Sequence, residues 1–211
     1  VASLFSIVSF LIGVFLIGAI FLLFAYQSME GIRSLKHFTD DDTLEDNRKL
    51  LRAAEVLIGH GDYAKAESVL ESLKEKTNKG MIYNLASEYL AKISYDKHDY
   101  KKAYDLLINL GNKLSHEGKL VLYLAAYEIG DYEKVVDLSG VCFQESQTLE
   151  VAIRAAKSNA MLQDIKKSIE WLKTVRSFDG IDLLELTSGK AFDSIRNNDL
   201  FQNFMRSISR D

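Results

Sequence analysis

The apolar positions of this chain follow two different patterns. No charged side chain occurs before Glu30, and residues 2–25 are apolar apart from Ser3, Ser6, Ser9, Gly13 and Gly18. A helix rises about 1.5 Å per residue, so roughly 20 apolar residues cross a hydrocarbon core, and the run predicts one transmembrane helix over 1–26. A cleaved signal peptide fits poorly. There is no basic n-region, the apolar stretch is too long, and Leu22-Leu23-Phe24-Ala25-Tyr26 offers no small-x-small cleavage site.

Beyond Glu30 the apolar residues recur every three to four positions, as in Leu50, Ala53, Ala54 and Leu57, or Ala66, Leu70 and Leu73. That spacing predicts amphipathic helices. Proline is absent from the whole chain, and since proline costs about 3 kcal/mol in a helix interior, its absence permits near-continuous helix. The expected fold class is all-α.

Arg33, Lys36, Arg48 and Lys49 follow the span, and no Lys or Arg precedes it. Retention of such charges on the cytoplasmic side places the body of the protein in the cytoplasm. Residues 27–46, with the acidic cluster Asp40, Asp41, Asp42, Glu45 and Asp46, read as a juxtamembrane linker. The net charge of −4, with both signs intermixed, lacks the basic stripe of a nucleic-acid binder. The single cysteine, Cys142, lies among Leu138, Val141 and Phe143 and reads as a small buried apolar side chain.

A repeat runs through the helical region. Gly61-Asp62-Tyr63-Ala64-Lys65-Ala66 is echoed by His98-Asp99-Tyr100-Lys101-Lys102-Ala103, by Gly130-Asp131-Tyr132-Glu133-Lys134-Val135 and, more weakly, by Gln163-Asp164-Ile165-Lys166-Lys167-Ser168. The aspartates at 62, 99, 131 and 164 are spaced by 37, 32 and 33 residues. Each echo ends one helix and caps the next, with aspartate accepting from unpaired N–H groups of the following first turn. Four antiparallel helix hairpins are expected.

These motifs resemble the tetratricopeptide repeat (TPR) family over about 47–178. The third unit departs from the pattern at Val135 and Ser139, and the closing proline is missing throughout. The resemblance implies an α-solenoid followed by a capping segment over 179–211, in which Phe192, Ile195, Leu200, Phe201, Phe204 and Met205 cover the last repeat.

The sequence offers little chemistry. His37, His60, His98 and His116 are not spaced as a helical metal site, and no Cys-x-x-Cys, phosphate loop, nucleophile elbow or His-Glu-x-x-His is present. No enzyme activity, cofactor, metal or small-molecule substrate is expected. The resemblance implies instead a partner groove lined by the first helix of each hairpin. Counting from the turns places Arg52 and Glu55; Glu88, Tyr89, Lys92 and Tyr95; Leu124 and Tyr127; and Arg154 and Lys157 on that side. Tyrosines beside cations suit a protein or peptide segment carrying acidic groups. Leu51 and Glu55 stand where chaperone-tail binders of the family carry Lys and Asn, which argues against that partner class.

The expected function is therefore a membrane-anchored, non-catalytic scaffold or adaptor for a protein or peptide partner. Two alternatives share the same features. One is the regulatory tail of a larger intramembrane enzyme such as a membrane protease, and the other is a periplasmic assembly chaperone in the opposite orientation.

Overall fold

A computed structural model of the chain describes residues 39–208, which belong to two compact units, Val1–Leu85 and Ala86–Asp211. The predicted membrane span, 1–26, lies outside the described residues. Among the described residues every regular element is helical, and no helix is long and apolar enough to cross a membrane.

The first unit contains α1 (Asp40–Thr43), α2 (Glu45–Gly59), α3 (Tyr63–Lys76) and the start of α4 (Met81–Asp96). Helices α2 and α3 form a hairpin, with Ala54, Ala66, Leu70 and Leu73 fully buried. Residues 39–46, read from sequence as the end of a linker, are a built element. The Asp42 carboxylate is 1% exposed. It accepts hydrogen bonds from Thr39 N–H (2.7 Å) and Thr39 Oγ1 (3.0 Å), and from Met81 N–H (3.0 Å) and Ile82 N–H (2.7 Å). It thus caps α4 from far upstream in the chain. Burial pushes its pKa up, but the bonds from Ile82, Thr39 and Met81 outweigh burial and hold it below the usual carboxylate value.

The second unit continues α4 and adds α5 (Tyr100–Leu107), α6 (His116–Ile129), α7 (Tyr132–Ser146), α8 (Leu149–Met161), α9 (Ile165–Arg176), α10 (Leu183–Ser188) and α11 (Asp199–Ile208). Two short 3-10 turns, Gly111–Lys113 and Lys190–Phe192, interrupt the series. Helix α5 ends at Leu107, and Leu110 lies half-buried in the following turn.

The turns between helices repeat one geometry. Gly61, His98, Gly130 and Gln163 adopt left-handed φ values of 77°, 63°, 82° and 60°. The next residue is always aspartate, and its N–H donates to the carbonyl five residues back, at Leu57, Ser94, Ala126 and Asn159. This is the 6→1 bond of a Schellman turn, and the aspartate side chain then accepts from the N–H of Lys65, Lys102, Lys134 or Lys167 to start the next helix. One residue type closes a helix with its backbone and opens another with its side chain.

The third hairpin solves its packing differently. Eight residues before the turn aspartate the other hairpins carry Ala54, Ala91 and Ala156, whereas here stands Tyr123, fully buried. Its hydroxyl donates to the Val151 carbonyl at 2.7 Å, so the ring fills the space between helices with its polar tip satisfied. The Val135 and Ser139 departures fall in the same core, and the Ser139 hydroxyl donates to the Val135 carbonyl at 2.7 Å.

After α9, Phe192, Ile195 and Phe201 are buried in one cluster with Ala152, Ala156 and Leu172, and Phe204 and Met205 pack against it. The Phe192 and Phe201 rings stack at 6.0 Å. Leu200, expected to join them, is 51% exposed. Successive residues of a helix point about 100° apart, and Phe201 takes the inward direction.

Candidate functional site

In the second unit residues of α4 and α6 together line a cavity of about 310 Å³. Tyr89, Lys92 and Tyr95 enter it from α4, and Leu120, Val121 and Leu124 from α6. Glu88, Glu117 and Gly118 complete the lining. The walls are mainly aromatic and aliphatic, and the charged groups are few, as in sites that hold an apolar side chain.

Four of the residues selected from sequence, Tyr89, Lys92, Tyr95 and Leu124, therefore share one cavity. Two more adjoin it. Arg154 of α8 donates to the Leu124 carbonyl at 3.5 Å, and its guanidinium lies 4.7 Å from the Tyr127 ring centre. Lys157, one turn further along α8, is half-buried. Arg52 is exposed on α2 in the first unit and lines no part of this cavity.

The charges differ from the simple reading of tyrosines beside free cations. Arg154 pairs with Glu128 at 2.9 Å and with Glu150 at 2.8 Å, and its side chain is only 14% exposed. Burial disfavours the guanidinium charge, but neighbouring Tyr95, Glu150 and Glu128 more than offset it and raise its pKa. Burial in turn pushes the Tyr95 and Tyr127 hydroxyls up, so both remain protonated donors at neutral pH. Lys92 is held by Asp96, with both carboxylate oxygens in reach. Two of the four cations picked out for an acidic partner, Lys92 and Arg154, are thus paired with carboxylates of their own or the preceding hairpin.

Glu88, also placed on this face by counting, has a structural task. Its carboxylate accepts from Ser115 N–H at 2.8 Å and Ser115 Oγ at 2.5 Å, while the same hydroxyl accepts from Gly118 N–H at 3.0 Å. The start of α6 is thereby fixed against α4, which sets the width of the cavity. Glu117, Leu120 and Val121 were not among the selected residues. Their spacing with Leu124 is that of one helix face, a signal the turn-based count passed over.

Cys142 lines a second cavity, of about 220 Å³, together with Leu120, Val141 and the His116–Glu145 pair. The thiol is buried, and burial pushes its pKa up to about 11. Among the described residues no group of three or more His, Cys, Asp or Glu is placed to hold a metal ion.

No family model matches the sequence, and no curated protein matches it. Among solved structures, the chain named MamA AMB-1 superposes with a TM-score of 0.53 at 14% sequence identity, covering 90% of this chain and 96% of that one. The likeness shows the fold, an all-helical repeat of sequential hairpins packed as in a TPR-type solenoid.

Proposed function

We propose that this protein is a membrane-anchored, TPR-like scaffold that holds a segment of a partner protein against α4 and α6 and performs no catalysis of its own. The observation that carries the reading is the cavity between those helices, where Tyr89, Tyr95, Leu120 and Leu124 offer apolar surface rimmed by a few polar groups. Tyrosine supplies large contact area at little conformational cost, and such side chains dominate binding at protein interfaces. The solenoid fold supports the same reading, because arrays of this type present extended surfaces for proteins.

The anchor rests on the uncharged run over 2–25, and the cytoplasmic placement of the helical units on Arg33, Lys36, Arg48 and Lys49 beyond it. Tethering raises the effective concentration of domain and partner at one surface, so a modest affinity suffices.

The test is cross-linking and affinity purification of the full chain from native membranes, with two controls: a chain retaining only 1–38 and a Tyr89→Ser, Leu124→Ser double variant. A partner lost with both controls supports the scaffold reading. A partner retained by the double variant moves the contact away from this cavity. A C-terminal reporter fusion tests the orientation separately.

A further inference from the structure

The groove's electrostatics point to a definite class of partner. From the charges around the cavity we infer that the segment bound there presents an apolar side chain flanked by Lys or Arg, rather than the acidic groups suggested by tyrosines beside cations. The inference rests on the binding role proposed for this cavity and specifies its ligand.

The apolar requirement comes from the walls. Tyr89, Tyr95, Leu120 and Leu124 enclose a space of about 310 Å³, large enough for a leucine- or phenylalanine-sized side chain. Filling it removes apolar surface of both molecules from water.

The basic requirement comes from the surrounding charges. Glu88 and Glu117 line the cavity itself. Lys92, the one lining cation among the described residues, is bound to Asp96. At the neighbouring end Arg154 is clasped between Glu128 and Glu150. Lys157 adds a positive charge one turn along α8, yet carboxylates still outnumber cations around the site. An approaching acidic group finds Lys92 and Arg154 already paired with carboxylates. A cation meets Glu117, exposed in the first turn of α6 and in no ion pair among the described residues. Like-charge contact penalises the acidic alternative, and this sets partner choice more than it sets raw affinity.

Three fluorescein-labelled dodecapeptides test this by fluorescence anisotropy against the full chain in detergent. The first carries Phe flanked by Lys and Arg, the second Phe flanked by Asp and Glu, and the third the same basic residues with Phe replaced by Ser. The expected result is binding of the first about tenfold tighter than either other peptide, a difference of about 1.4 kcal/mol. Its affinity should fall with added salt and with Glu117→Lys, and should be lost in Leu124→Ser. Tighter binding of the acidic peptide overturns the charge assignment and leaves the groove reading standing. Equal binding of the basic peptides with Phe and with Ser overturns the apolar anchor. Absence of binding by all three overturns both the inference and the groove reading on which it rests.

Discussion

Glu88 and Ser115 stand 27 residues apart in sequence, yet one carboxylate takes both the backbone N–H and the hydroxyl of the serine. Gly118 lies directly above this contact, where a Cβ would come within 2.6 Å of Glu88 Cδ. A free glutamate would swing aside, but this one is 9% exposed and doubly bonded. Gly118→Ala should therefore destabilise the protein by about 1–3 kcal/mol, against the roughly 1 kcal/mol that helix propensity alone would add. Urea denaturation of the two proteins decides the sign, and a more stable alanine variant would remove the steric argument.

Asp42 gives a pH dependence of known direction. Its folded pKa is lowered, so its stabilising contribution is complete above the ordinary carboxylate value and is lost as pH falls through the folded one. Asp42→Asn should cost about 1–3 kcal/mol at neutral pH, as expected when a charged hydrogen-bond acceptor is lost. The gap between variant and parent should close progressively below about pH 4. Melting curves across that range test it, and a gap that stays constant into acid would rule out the carboxylate's charge as the cause.

Tyr123 replaces a small residue and satisfies its own hydroxyl. Tyr123→Phe keeps the ring and loses the hydroxyl with its bond to Val151, a cost of about 1 kcal/mol, whereas Tyr123→Ala opens a cavity and should cost about 3–5 kcal/mol. Chemical denaturation of both variants separates packing from hydrogen bonding. Equal losses would mean that the hydroxyl, not the ring, matters.

The four turns share one backbone conformation but not one residue. Gln163 holds φ 60° without the freedom glycine has there, and Gln163→Gly should stabilise by about 1 kcal/mol. His98 sits at a similar φ, but its Nδ1 lies 2.7 Å from Tyr100 Oη, so glycine there should give a smaller gain. Thermal shifts of the two variants rank the effect.

Cys142 should be chemically silent while the protein is folded. With the thiol buried and its pKa near 11, alkylation by iodoacetamide at pH 7.5 should run at least about 100-fold slower than in urea. Mass spectrometry of timed samples measures both rates, and fast labelling of the native protein would place the thiol in reach of solvent.

Sequence and structure agree best where a cause is local. Asp62, Asp99, Asp131 and Asp164 could be read as caps because the N–H groups they bind lie within three residues. The helical class followed from apolar spacing and the lack of proline. What escaped were contacts whose partners are distant in the chain. Asp42 belongs in sequence to the acidic cluster of the linker, and only the fold brings Met81 and Ile82 to it. Arg154 looked like a free cation because Glu128 lies 26 residues earlier, on another helix. The cavity was half legible for the same reason: Tyr89, Tyr95 and Leu124 follow from register, but the way Glu88 sets the start of α6 does not.

The Glu88 clasp bears on how such an array is lengthened or shortened over evolutionary time. A hairpin is the obvious unit to copy or delete, yet the carboxylate that seats α6 belongs to α4, in the preceding hairpin. Deleting the hairpin that begins at Ser115 would strand a buried acid, and inserting a foreign one would require it to bring its own serine and glycine at matching positions. The boundary that matters for recombination therefore falls within α4, ahead of Glu88, so that lock and key travel together.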